Sequence, residues 1–151
     1  MFERYTDLLY RLCYSILLQK EDAEDAVQDV FLIYYRKQPT FADEDHEKAW
    51  FIRVAVNRCR DMLRRKKIRV AVPLSEVEET LAAEGIEHEE SEVLTAIYGL
   101  PEKYRIVMIL HYLEEYPVKQ VAELCKLTPS AVKMRLARGR EQLKASLGKE
   151  L

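Results

Sequence analysis

The chain has 151 residues, of which 48% are apolar and 33% charged, with a formal net charge of −2. That length suits one ordinary domain or two small ones, and the apolar share is enough to build packed cores, which excludes wholesale disorder. No run of about 18 apolar residues occurs and Met1-Phe2-Glu3-Arg4 lacks a signal-peptide pattern, so no membrane insertion and a cytoplasmic location are expected.

Only four Gly and five Pro interrupt stretches rich in Leu, Ala, Glu, Lys and Arg, a composition that favours helices throughout. The first helix is predicted over residues 2–18, where Phe2, Tyr5, Leu8, Leu9, Leu12, Cys13, Ile16 and Leu17 recur at three- and four-residue steps. A second is predicted to start with Asp22 as its N-cap and Asp25 three residues on, with Ala26, Val27, Val30, Phe31 and Tyr34 as its apolar stripe and Pro39 ending it. Residues 38–46 read as a loop. A third helix is predicted from near Asp45 to about Lys67, closing in a basic cluster that suits the negative end of the helix dipole. Pro73 and the glutamates after it mark a linker, with room for a helical turn around residues 76–83. A fourth helix fits residues 89–99. Pro101 fits the first position of the next, an apolar helix that reaches Leu113 through Ile106, Val107, Ile109 and Leu110. Pro117 breaks the chain before two shorter helices, 118–125 and 129–147. The expected architecture is all-α: a first helical domain over 1–70, an acidic linker over 71–88 and a second helical domain over 89–151.

The small net charge conceals a dipolar layout. Residues 57–69 hold seven Lys or Arg against Asp61 alone, residues 73–99 hold eight Glu and no cation, and residues 126–149 hold seven Lys or Arg against Glu141 alone. Cys13, Cys59 and Cys125 are far apart, and His46, His88 and His111 have no ligand spacing, so reduced packing cysteines, no metal and no cofactor are expected. No Gly-rich phosphate loop and no nucleophile–base pair at a recognisable spacing points to an enzyme.

Residues 118–136 have the logic of a helix-turn-helix. Ala122 is small where two helices cross, Val121, Cys125, Leu127 and Val132 can fill the angle, Thr128 can cap the second helix and Pro129 can open it. Lys126 stands where Gly is usual in the turn, and must accept a left-handed backbone. The second helix would present Lys133, Met134, Ala137 and Arg138 to a major groove, with Ser130 at its start, and Arg135 and Arg140 to phosphates.

In the first domain, Trp50 and Asn57 are seven residues apart and share a helix face. The acidic face of Glu24, Asp25 and Asp29 is expected to be mostly unpaired and open to a basic partner, although a charged helix face is more often simply solvated.

In motif order and spacing, nearly the whole chain resembles the extracytoplasmic-function sigma factors of bacterial RNA polymerase. Residues 22–31 (DAEDAVQDVF) resemble the family's core-polymerase-binding helix, 50–65 (WFIRVAVNRCRDMLRR) its promoter-melting and minus-ten-reading helix, and 100–105 (LPEKYR) the opening of its second DNA-binding domain. The chain departs where the family often has Ala-Arg-Asn (Ala55-Val56-Asn57) and Ala-Trp (Tyr34-Tyr35). The resemblance implies contacts to core polymerase from Asp22, Glu24, Asp25, Gln28, Asp29 and Phe31. It implies a pocket for an unstacked base between Asn57 and Trp50 on one side and Phe41 and Asp43 on the other, with Arg58, Arg60, Arg64 and Arg65 holding phosphates. It also implies promoter DNA as ligand, reading of the minus-thirty-five element by the helix-turn-helix, a linker threading the polymerase, and an anti-sigma factor as regulator.

An autonomous helix-turn-helix repressor or activator with a dimerising first domain fits the second half equally well. Such a protein has no need of the basic helix that carries Trp50 and Asn57.

Overall fold

The computed structural model describes residues 2–65 and 88–148. Among the described residues the amphipathic repeats become seven helices: α1 (Phe2–Leu17), α2 (Lys20–Lys37), α3 (Glu44–Arg65), α4 (His88–Tyr98), α5 (Glu102–Met108), α6 (Val118–Cys125) and α7 (Pro129–Leu147), with a π-helical turn at Ile109–Leu113. Among the described residues there is no strand, and no helix is long and apolar enough to cross a membrane. The chain forms two units, Met1–Arg69 and Val70–Leu151. The predicted linker turn at 76–83 and the last residues of the basic run, Lys66, Lys67 and Arg69, lie outside the described residues.

In the first unit α1, α2 and α3 pack pairwise. Each contributes its predicted stripe to one core, in which Leu9, Leu12, Ile16, Val30, Phe51, Ile52 and Val56 are fully enclosed. Phe51 is the hub: its ring lies 4.5 Å from that of Tyr5, 5.4 Å from Tyr34 and 5.7 Å from Phe31. At the rim the Tyr5 hydroxyl donates to Glu47 Oε1 at 2.7 Å and Arg4 pairs with Glu44, tying α1 to α3. Burial, followed by that hydrogen bond to a carboxylate, pushes Tyr5 up to about 12. Cys13 and Cys59, on different helices, meet in the same core. Their hydrogen bond and burial hold the Cys59 thiol well above its ordinary value.

Helix α2 starts earlier than predicted. Its cap is Gln19, in extended backbone, and Asp22 falls in the first turn with Glu21. Both carboxylates there favour the positive end of the helix dipole, which explains an acidic start without a side-chain cap. The helix ends where Gln38 turns left-handed (φ 44°) and its N–H returns to the Tyr34 carbonyl, one residue before Pro39.

In the second unit, Pro101 is not the first helical residue but the cap before it. Buried Arg105 donates from Nη1 to the Leu100 carbonyl at 2.9 Å and closes the turn between α4 and α5. The apolar helix predicted to Leu113 changes pitch at Ile109. There the Glu114 N–H reaches the Ile109 carbonyl, and His111 Nδ1 lies 2.8 Å from the Tyr116 carbonyl oxygen. The wider turn leaves Tyr112 and Leu113 each 44% exposed, shortly after a stretch from Tyr104 to Leu110 that is buried throughout. Helix α7 crosses α5 closely at Gly139, where an added Cβ would stand 3.1 Å from Met108 Cγ and Sδ.

Candidate nucleic-acid interface

The α6–α7 corner has the geometry of a helix-turn-helix. Helix α6 ends at Lys126, which adopts φ 58° and ψ 45°, the left-handed conformation that the turn demands. Its N–H closes on the Glu123 carbonyl, and Leu127 N–H reaches back to Ala122. Thr128 then caps α7, its Oγ1 accepting from Ala131 N–H at 3.1 Å, with Pro129 as the first helical residue. Val121, Ala122, Cys125 and Val132 are buried in the angle.

Helix α7 buries Val132, Leu136, Gly139 and Leu143. That face fixes what looks outward: Ser130, Lys133, Met134 and Arg138 are exposed, Ala137 is half-exposed beside them, and Arg135 is half-buried nearer the core side. Arg138 and Arg140 flank the close approach at Gly139, and each meets a tyrosine across it. Arg140 Nη1 donates to the Tyr112 hydroxyl at 2.6 Å. Arg138 lies near Tyr104, and its guanidinium lowers the Tyr104 hydroxyl below the ordinary phenol value. Arg140 is therefore held by the fold and Arg138 has a tyrosine beside it, neither of which their sequence positions revealed. The tyrosines come from the segment before the helix-turn-helix, and only tertiary structure brings them there.

In the first unit, the loop before α3 is built by its own side chains. Asp43 accepts from His46 N–H at 2.8 Å and His46 Nδ1 accepts from Ala42 N–H at 3.1 Å, a reciprocal cap. This capping sets the start of α3 at Glu44. Asp43 was expected to wall a base pocket; here its carboxylate serves the helix. Phe41 lies edge-on to His46 (5.4 Å) and Trp50 (5.8 Å), and Trp50 also meets Tyr34 (6.1 Å) and Phe51 (5.1 Å). Phe41 and Trp50 are thus half-buried, joined to the core on one side and open on the other. Asn57, half-buried two turns along α3, lies on the same strip as Trp50. Arg64, on that strip too, pairs with Asp61 at 3.0 Å in a largely exposed bridge; Arg65 is exposed and Arg60 half-exposed. Exposed Arg53 stands seven residues before Arg60 on the same side of the helix. The sequence reading overlooked it because it precedes the basic run, although the spacing to Arg60 was there to read.

Three expectations for α2 and α3 need correction. Asp29 is not unpaired: Arg58 Nε donates to its Oδ2 at 2.7 Å, with the side chains 34% and 25% exposed. Arg58 accordingly faces α2, and its guanidinium is committed to a carboxylate where a phosphate contact was expected. Phe31 is 3% exposed against Phe51, because the periodicity that makes it part of the apolar stripe turns it inward. It is a core residue and offers no surface to a partner. Glu24, Asp25 and Gln28 are exposed and Asp22 is half-exposed. Leu32 (55%) and Tyr35 (61%) extend the same surface with apolar groups that the sequence reading did not single out.

Comparison with known proteins agrees with this arrangement. Residues 1–68 match Sigma-70 region 2 and residues 90–143 match Sigma-70, region 4. The chain is 31% identical to the ECF RNA polymerase sigma factor SigW of Bacillus subtilis, covering 95% of this chain and 84% of that protein. It is 30% identical to the ECF RNA polymerase sigma factor SigM of Mycobacterium tuberculosis, covering 98% and 76%. In fold it is similar to the sigma factor RpoE of Bartonella quintana, solved in complex with the anti-sigma factor NepR, with a TM-score of 0.70 at 20% identity over 94% of this chain and 91% of that one. Two matched regions in order, on a pair of helical units that end in a helix-turn-helix, place this chain among the ECF RNA polymerase sigma factors.

Proposed function

We propose that the two units divide promoter reading between them: α7 reads the minus-thirty-five element as duplex, and α3 with the loop before it holds the minus-ten strand once it is unstacked. As a sigma factor the chain gives RNA polymerase its promoters and starts transcription. It acts in the cytoplasm, without catalysis of its own. The observation that carries the division is the contrast between the two surfaces. On α7, Ser130, Lys133, Met134, Ala137 and Arg138 form an outward strip of the kind that enters a major groove, with Arg135 and Arg140 towards the backbone. On α3, the open edges of Phe41 and Trp50 and the amide of Asn57 offer an aromatic wall and a polar group, the combination an extruded base requires. Arg60, Arg64, Arg65 and Arg53 would then track phosphates. Asp22, Glu24, Asp25 and Gln28 form the contact to core polymerase, and the acidic segment 71–88 joins domain 1–70 to domain 89–151. An anti-sigma factor covering these surfaces is the proposed regulator; the Bartonella quintana neighbour was solved with such a partner.

Run-off transcription with core enzyme and a panel of promoters tests the function, and absence of any product that depends on this chain refutes it. Asn57→Ala tests the division of labour. Permanganate footprinting should show impaired strand opening with duplex binding kept, and normal opening with unchanged minus-ten preference refutes the assignment of α3.

A further inference from the structure

We infer that Met134 is a specificity-determining residue that reads the 5-methyl group of a thymine in the minus-thirty-five element. The inference rests on the reading of α7 as the recognition helix, and goes further by naming the base. Met134 is 56% exposed, the most exposed large apolar side chain among the described residues of the second unit. It stands on the strip opposite the buried Val132, Leu136 and Gly139, in the second turn of α7. The first turns of a recognition helix are the part that reaches base edges.

Its surroundings restrict what it can meet. Ser130 one turn before and Ala137 one turn after are small, so the thioether projects without a covering neighbour. Lys133 and Arg138, both exposed, stand beside it as cations suited to phosphates or to guanine. A methionine inserted between them carries no donor and only a weak acceptor. Every base edge in the major groove presents hydrogen-bonding groups, and the one apolar feature there is the thymine methyl. A flexible, polarizable side chain can settle on that methyl without demanding an exact register. The flanking cations also favour DNA over an apolar protein partner for this strip.

The test uses holoenzyme formed from the whole chain and core polymerase, on a promoter chosen by selection from random minus-thirty-five sequences. Each thymine of the element, on either strand, is replaced in turn by deoxyuridine, which removes only the methyl. Wild type should lose affinity about fourfold at one position, the change that burial of a single methyl-sized group supplies. Met134→Leu should keep that sensitivity and Met134→Ala should abolish it. The inference is overturned if no thymine shows the effect, if Met134→Ala remains equally sensitive, or if Met134→Ala leaves DNA binding unchanged and instead loses a protein partner. If holoenzyme fails to discriminate minus-thirty-five sequences at all, the assignment of α7 falls, a result distinguishable from each of these.

Discussion

Reversing the charge of Asp29 is expected to damage the fold of the first unit before it affects any partner. Asp29 accepts from Arg58 Nε at 2.7 Å, and the two side chains keep 34% and 25% of their exposure. An exposed pair contributes about 0–1 kcal/mol, and breaking a fully buried one costs about 3–5 kcal/mol. With a third to a quarter of each side chain in solvent, the loss on Asp29→Asn should be about 1 kcal/mol after screening. Asp29→Arg sets two guanidinium groups face to face and should cost about 2 kcal/mol. In a unit of this size that lowers the midpoint of thermal unfolding by roughly 8–16 °C. Arg58→Asp should cost about as much, and the exchanged pair Asp29→Arg with Arg58→Asp should recover at least about 0.5 kcal/mol, the coupling expected of residues in contact. Asp25→Arg with Gln28→Arg, both at exposed positions, should leave the midpoint near wild type while weakening retention of core polymerase. Calorimetry and co-purification separate the two effects. If Asp29→Arg melts with wild type and the exchanged pair shows no coupling, the ion pair does not hold α2 to α3 and this reasoning fails.

The other expectations concern stability. Lys126→Gly removes the steric cost of a left-handed residue (φ 58°) and should stabilise the second unit by about 0.5–1 kcal/mol in denaturant titration. Gly139→Val pushes atoms into Met108, already 3.1 Å from an added Cβ, and should destabilise by about 1–3 kcal/mol in the same titration. Tyr5 is raised from 10.0 to about 12 in the folded chain, so its contribution is complete below pH 10 and lost as pH rises towards 12. Alkaline titration of the unfolding midpoint should therefore show a decline across that window, and Tyr5→Phe should flatten it.

Much of this was legible in the sequence because it is local. Heptad-like spacing set the helices, and Pro39 and Pro117 marked breaks. Thr128-Pro129 announced the start of α7, and Lys126 could be assigned its left-handed turn from its place in the corner. The periodicity even placed Phe31 in the core, against the resemblance that gave it to a partner. What escaped was pairing across helices. Nothing about Asp29 specifies an arginine 29 residues later, and nothing about Arg140 specifies a tyrosine 28 residues earlier. The π-helical turn at Ile109–Leu113 escaped as well, since Ile-Leu-His-Tyr-Leu contains no breaker and only the bonds around it show the changed pitch.

The hydrogen bond from Arg140 to Tyr112 has a consequence for the thermodynamics of association. A solvent-borne arginine surrenders most of its rotamer freedom when an anion fixes it. Arg140 has already given up part of its own to Tyr112 during folding. Whatever anionic surface α7 meets, this guanidinium group arrives partly oriented, and the entropy lost at the moment of contact is smaller. Tyr112→Phe would remove the hydrogen bond that restrains Arg140 without touching its charge. The ionic-strength dependence of binding would stay the same, and the entropic penalty of binding, read by calorimetry, would grow.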